Sequence, residues 1–171
     1  MMLNEVLISG VELVKDYDLC KMQAHSAYMQ GDEERASSLY HTAFDINKTL
    51  MLHHSIVPAS LIRCVHACLD CLDFCNKDSD QAALYYLKET ETLLAGIIEG
   101  SHFHCVKFKS AYVEKTGGDA VRHEALLAYA ELIKATIGFR HESCCNNAGM
   151  KILMSRLEVL WKNNSSLINT Q

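Results

Sequence analysis

Ala24-His-Ser-Ala27-Tyr28-Met-Gln-Gly31-Asp32-Glu-Glu-Arg-Ala36-Ser-Ser-Leu-Tyr40-His-Thr-Ala43 reads as one helix, a tight turn and a second helix. Gly31 stops the first helix, because a glycine accepts the left-handed conformation that a helix end often needs. Asp32 caps the second, and Glu33 and Glu34 lie in its first turn, where the dipole favours acids. Small residues at 24, 27, 36 and 43 let the two helices come close, with Tyr28 and Tyr40 filling the space between them. Ala36, Leu39, Tyr40, Ala43, Ile46 and Leu50 share one face of the second helix, which is predicted to run to about His54. Ser37 is predicted to face solvent.

Upstream, Leu3, Val6, Leu7, Val11, Leu13 and Val14 predict a helical segment interrupted near Gly10. Asp16 or Asp18 is the expected cap of the helix that reaches Gln30. Downstream, Pro58 fits the first turn of a helix that continues to about Cys75. Asp78 with Gln81 resembles a capping box for the next helix, whose face is Ala83, Tyr86, Leu87, Leu94 and Ile97 and which stops around Gly96–Gly100. Further helices are predicted over about 102–115 and 120–136, separated by a turn at Thr116-Gly-Gly-Asp119. Gly138 is expected to break the chain before a last helix over about 142–162.

Composition supports a single all-α domain. The chain has 171 residues, 49% apolar and 22% charged, with one proline. That is a globular composition long enough to bury a core without disulfides. The net charge of −5 comes with no basic patch, which argues against nucleic acid as a partner. No apolar run approaches the roughly 18 residues of a membrane span. The start lacks the basic region of a signal peptide, so a cytoplasmic location is expected, and the eight cysteines are then expected to be reduced.

An internal repeat organises the helices. Ser-Ala-Tyr occurs at 26–28 and again at 110–112, each time followed by a Gly-Asp turn, at 31–32 and 118–119. Ala-x-x-x-Tyr recurs as Ala36/Tyr40, Ala82/Tyr86 and Ala125/Tyr129. The first hairpin resembles a tetratricopeptide (TPR) hairpin in its small residues, its glycine turn and its Ala, aromatic and Ala intervals. The resemblance covers about 25 residues, since the repeat spacings of 46 and 43 residues exceed the TPR period of about 34. It implies three antiparallel hairpins, about 11–54, 58–98 and 102–137, stacked as a short superhelix, with a C-terminal capping helix over about 142–162. A closed helical bundle is the alternative.

The resemblance also implies a function, the non-catalytic binding of a protein or peptide by a scaffold or adaptor. Carried onto this chain, the groove positions are Lys21, His25, Tyr28 and Met29 from the first hairpin. The second supplies Leu69, Leu72 and Asp73, and the third His102, Lys109 and Tyr112. Lys21 fits one position of the clamp with which some TPR proteins hold a C-terminal carboxylate. The asparagine positions are His25 and His66 here, and an arginine position is Val106, so carboxylate capture is not expected.

The rival reading starts from Cys64, Cys68, Cys71 and Cys75, which fall on one helical stripe. Their spacing resembles the iron–sulfur motif of radical-SAM enzymes, but those motifs lie on loops of β/α barrels, and no strand is expected here. The rival function is thiolate metal binding or redox sensing, and a thiolate site for zinc or copper(I) needs ligands from a second helix. Cys20, His25, His66, His102, His104 and Cys105 are the candidates. The repeat register favours core thiols, because these cysteines align with Cys20, Ala24, Ala27 and Gly31, and cysteine packs there as a small buried residue. No cofactor is therefore expected. Among nine histidines, His53-His54, His102-x-His104-Cys105 and His141 near Cys144-Cys145 invite a thiol-catalysis reading. No phosphate loop, HExxH or GxSxG accompanies them, and no enzyme is expected. Met150, Leu153, Met154, Leu157, Leu160 and Trp161 form an apolar stripe on the last helix. It serves either to cap the third hairpin or to form a homodimer or dock on a partner.

Overall fold

The computed structural model describes residues 9–53, 58–75, 80–100, 111–143 and 148–168. Six α-helices account for nearly all of them: α1 (Gly10–Met29), α2 (Glu33–His53), α3 (Pro58–Leu72), α4 (Asp80–Ile98), α5 (Ala111–Ser143) and α6 (Ala148–Asn164). A 3-10 turn follows at Ser165–Leu167. No strand occurs among the described residues, so the chain is all-α there.

A different residue from the expected one starts α1. The Ser9 hydroxyl accepts from the Glu12 backbone N–H at 3.2 Å, and the Glu12 carboxylate accepts from the Ser9 N–H at 3.0 Å. This capping box satisfies two orphan donors reciprocally. Asp16 and Asp18 lie exposed inside the helix and do not cap it. The other end follows the sequence. Gly31 has φ +79°. Its N–H donates to the Tyr28 carbonyl at 2.9 Å, and the Asp32 N–H reaches the Ala27 carbonyl at 3.0 Å. These two bonds form a Schellman stop. Asp32 Oδ1 then accepts from the Arg35 N–H at 3.1 Å, capping α2.

α1 and α2 form the most extensive helix pair. Ala24, Ala27, Ala36 and Ala43 are all buried, as close approach requires. α2 buries more than the one predicted face. Phe44, Asn47 and Met51 are also enclosed, because α2 is covered by α3 as well as α1 and touches α4. Ser37 is consequently half-buried, not solvent-facing, and Ser38 is the exposed neighbour.

α3 is the hub, packed against α2, α4 and α5. It begins at Pro58 as the sequence indicates. Leu61, Cys64, Val65, Cys68 and Cys71 place their side chains in the core, against Leu87, Leu94 and Ile97 of α4 and Leu126 and Tyr129 of α5. α4 ends at the left-handed Gly100, φ +76°. Asp78, the expected cap of α4, lies outside the described residues.

The second half departs from the expected repeat. α5 is one helix of 33 residues that runs through Thr116-Gly-Gly-Asp119 and past Gly138. The turn and the break are absent, so the described part of the expected third hairpin, residues 111–137, is a single helix. A helical glycine costs roughly 1 kcal/mol relative to alanine. That is small beside the burial of Val121, Ala125, Leu126, Ala128, Tyr129 and Leu132 on one face. Ala82 is exposed, and Ala83 takes the buried place that the repeat assigned to it. α6 begins at Ala148, later than expected. Met150, Leu153, Met154, Leu157 and Leu160 are buried, and α6 packs on α4 and α5. The apolar stripe is therefore committed within the chain, and a homodimer formed through it would have to unseat α6.

Candidate functional site

Where α1, α2 and the end of α3 meet, the surface opens into a cleft of about 580 Å3. The Schellman turn fixes the register of α1 against α2, which sets Tyr28 and Tyr40 on the same side. The turn that follows α3 delivers Phe74 to them, where the Phe74 N–H donates to the Cys71 carbonyl at 3.2 Å. Tyr28 meets Phe74 edge to face, with centroids 5.8 Å apart and planes at 90°. Tyr40 lies over Phe74 at 5.3 Å with planes tilted by 32°. The two tyrosines thus do more than fill the gap between their own helices. With Phe74 they build an aromatic wall, and Tyr28 leaves 52% of its surface exposed.

The rest of the lining is acidic. Glu33, Asp70 and Asp73 contribute carboxylates, and His25 and Cys75 complete it. Lys21 reaches Asp70 at 2.6 Å from the neighbouring turn of α1. The Tyr40 hydroxyl is pushed above the ordinary tyrosine range by burial first, then by Asp70, Asp73 and Tyr28.

Of the residues read from the sequence, His25, Tyr28 and Asp73 come together in this cleft, and Lys21 lies beside it. Met29 is 71% exposed and does not line the cleft. Leu69 is half-buried against the core, Leu72 belongs to it, and neither lines the cleft. His102 and Lys109 lie outside the described residues, and Tyr112 lies in the first turn of α5. Sequence reading missed Glu33, Tyr40, Asp70 and Phe74 as lining. Asp70 and Asp73 at i and i+3 share a helix face, a signal that was there to be used.

The cysteine stripe faces inward over its first three residues, while Cys75 is half-buried at the cleft. Cys64, Cys68 and Cys71 are at most 4% exposed. Burial pushes the Cys68 thiol up to about 12 and raises Cys64 and Cys71 as well. Only a thiolate ligates a metal or acts as a nucleophile, so these three are poorly disposed to either role. Among the described residues no three His, Cys, Asp or Glu side chains gather as a metal site. His104, Cys105, Cys144 and Cys145 lie outside the described residues.

A second polar cluster, which sequence reading also missed, joins α4, α5 and α6. Glu91 is 2% exposed. The Tyr129 hydroxyl donates to its Oε1 at 3.2 Å, and the Arg156 guanidinium lies 2.9 Å from Oε2. Burial raises the Glu91 carboxyl above its usual range, while Arg156 and Tyr129 draw it back. Both carboxylate oxygens are engaged by the chain's own side chains, which makes this cluster a strut. No described helix is long and apolar enough to cross a membrane. No protein-family model, curated protein or solved structure matches this chain.

Proposed function

We propose that this protein is a non-catalytic scaffold that binds a protein or peptide through the cleft between α1, α2 and the end of α3. The observation that carries this reading is the open aromatic wall of Tyr28, Tyr40 and Phe74 in a cleft of about 580 Å3. Aromatic side chains are enriched in binding surfaces because they offer large rigid area at small entropic cost. The small-residue spacing of α1 and α2, with the Gly31 turn, supports a hairpin stack similar to tetratricopeptide repeats, working as an adaptor in the cytoplasm. The departures in α5 mean that such a stack is regular only at its N-terminal end.

The test is capture from a lysate of the source cell by the intact protein and by Tyr28→Ala, compared side by side. Tyr28 is half-exposed, so its truncation leaves the core in place. A protein retained by the natural sequence and lost by the variant supports the reading. The same set of captured proteins in both lanes would remove the cleft from it.

A further inference from the structure

We infer that the outer face of α1 is a self-association surface, on which a second copy of this chain lays its own α1 antiparallel. The inference goes beyond the peptide-binding reading and does not rest on it, since none of the residues involved lines the cleft. α1 buries Tyr17, Ala24 and Ala27 on the side turned toward the rest of the chain. A surface helix ordinarily turns a polar face the other way. α1 instead leaves Val11, Leu19, Met22 and Met29 exposed. At 3.6 residues per turn, Val11, Met22 and Met29 fall within about 20° of one line along the helix, with Leu19 on its shoulder.

Exposure alone names no occupant, but the charges beside this line do. Lys15 and Asp18 are exposed within about 40° of it. Neither is in an ion pair with another described residue. Across a two-fold axis every contact is made twice, residue i on j and j on i, so facing positions of two antiparallel helices have a constant sum. Setting Val11 against the partner's Met22 sets Lys15 against the partner's Asp18, and both contacts repeat in reverse. Setting Val11 against the partner's Met29 instead puts Lys15 against the partner's His25 and lays the partner's Met22 on Asp18. The first register matches apolar to apolar and cation to carboxylate, and is self-complementary. Such charge matching fixes register more than it adds affinity. A seam on one helix is smaller than the roughly 800 Å2 that each partner buries in a stable interface, so the dimer is expected to be weak and to form at about 0.1 mM.

The test is sedimentation velocity of the intact protein under reducing conditions, from about 5 to 500 μM, a range that spans a weak dissociation constant. The monomer is expected to give way to a dimer as concentration rises. Met22→Lys is expected to weaken dimerisation at least about tenfold, because the side chain loses its apolar cover at both ends of the seam. Ile152→Lys on α6 is the control and is expected to change nothing, at 60% exposure against 64% for Met22. Lys15→Glu and Asp18→Lys alone are each expected to weaken the dimer about threefold, since each sets like charges opposite one another twice. The double variant carrying both is expected to regain the natural affinity. These positions are all exposed, and an unchanged melting temperature checks that each variant keeps its fold. A monomer at every concentration would overturn the inference. A dimer lost with Ile152→Lys and kept with Met22→Lys would place the second copy on α6 and overturn it too. So would a dimer that ignores both single charge changes, or a double variant as weak as the single ones, because the antiparallel register would then be wrong.

Discussion

The α1–α2 pair and the α4–α5–α6 assembly bury their helices by opposite means. In the first, alanines at 24, 27, 36 and 43 bring two backbones together across a three-residue turn. In the second, large side chains fill the space, and one buried carboxylate is held by Tyr129 and Arg156 from two other helices. The first arrangement is fixed by neighbours in sequence, the second by partners far along the chain. Mutations should separate the two.

The largest effect is expected at Tyr129. The sequence repeat makes Tyr40 and Tyr129 equivalent, whereas Tyr129 is fully buried and Tyr40 is only half-buried. Tyr129→Ala should cost about 3–5 kcal/mol in urea unfolding, the usual range for a buried aromatic. Tyr40→Ala should cost clearly less. Equal costs would restore the repeat and break the contrast.

Next comes Arg156→Ala, which leaves the Glu91 carboxylate buried with one hydrogen bond. The expected cost is about 2–3 kcal/mol at neutral pH. The folded carboxyl already binds its proton more readily than the ordinary value of 4.5. A raised acid costs stability as pH rises through its folded value, and removing the guanidinium raises that value further. The penalty of Arg156→Ala should therefore shrink as pH falls toward 4.5. A pH-independent difference in melting temperature would show that Glu91 is not the cause.

Ala36→Leu tests the other region. It adds bulk where two helices touch, and overpacking typically costs about 1–3 kcal/mol. The melting temperature should fall by several degrees, while Ser38→Leu on the exposed side should change it little. Similar effects at both positions would mean that α2 is rotated from this register.

The smallest pair concerns glycine. Gly138 lies within α5, and a methyl group added there meets nothing within 4 Å. Gly138→Ala should stabilise by about 0.5–1 kcal/mol through helix propensity alone. Gly31 is equally open but has φ +79°. Gly31→Ala should destabilise by about 1 kcal/mol through left-handed strain. A loss of stability for Gly138→Ala would bring back the break that the sequence suggested at that point.

What was legible in the sequence follows the same division. The Gly31 stop, the Asp32 cap, the Pro58 start and the inward alanines are local, and each could be read from a few adjacent residues. The Ser9-Gly-Val-Glu12 box is just as local, but it lies inside the apolar run from Leu3 to Val14, whose periodicity masks a helix start there. The turn at Thr116-Gly-Gly-Asp119 failed for a different reason. Gly117 and Gly118 are strong local punctuation, and the apolar face from Val121 to Leu132 overrides it. The cleft was half visible, since α1 supplied His25 and Tyr28 by analogy. Phe74 and Asp70 matter only because the end of α3 arrives beside Tyr40, a juxtaposition that no spacing reveals. Glu91 gave no signal, because its partners are on other helices and nothing near it in sequence marks it as buried.

The Glu91–Arg156 pair also has a meaning in time. A chain emerges from the ribosome N-terminus first, and its domains begin to fold in that order. The short turn at Gly31 lets α1 and α2 close on each other early, since joining segments so near in sequence costs little loop entropy. Glu91 follows with its carboxylate unmatched by a cation, and Arg156 is made only after α4 and α5. Until then α4 carries a charge that resists burial. α6, made after the helices it closes, thus delivers the cation that lets the middle of the protein close, and synthesis that stops before Arg156 leaves the fault in the core.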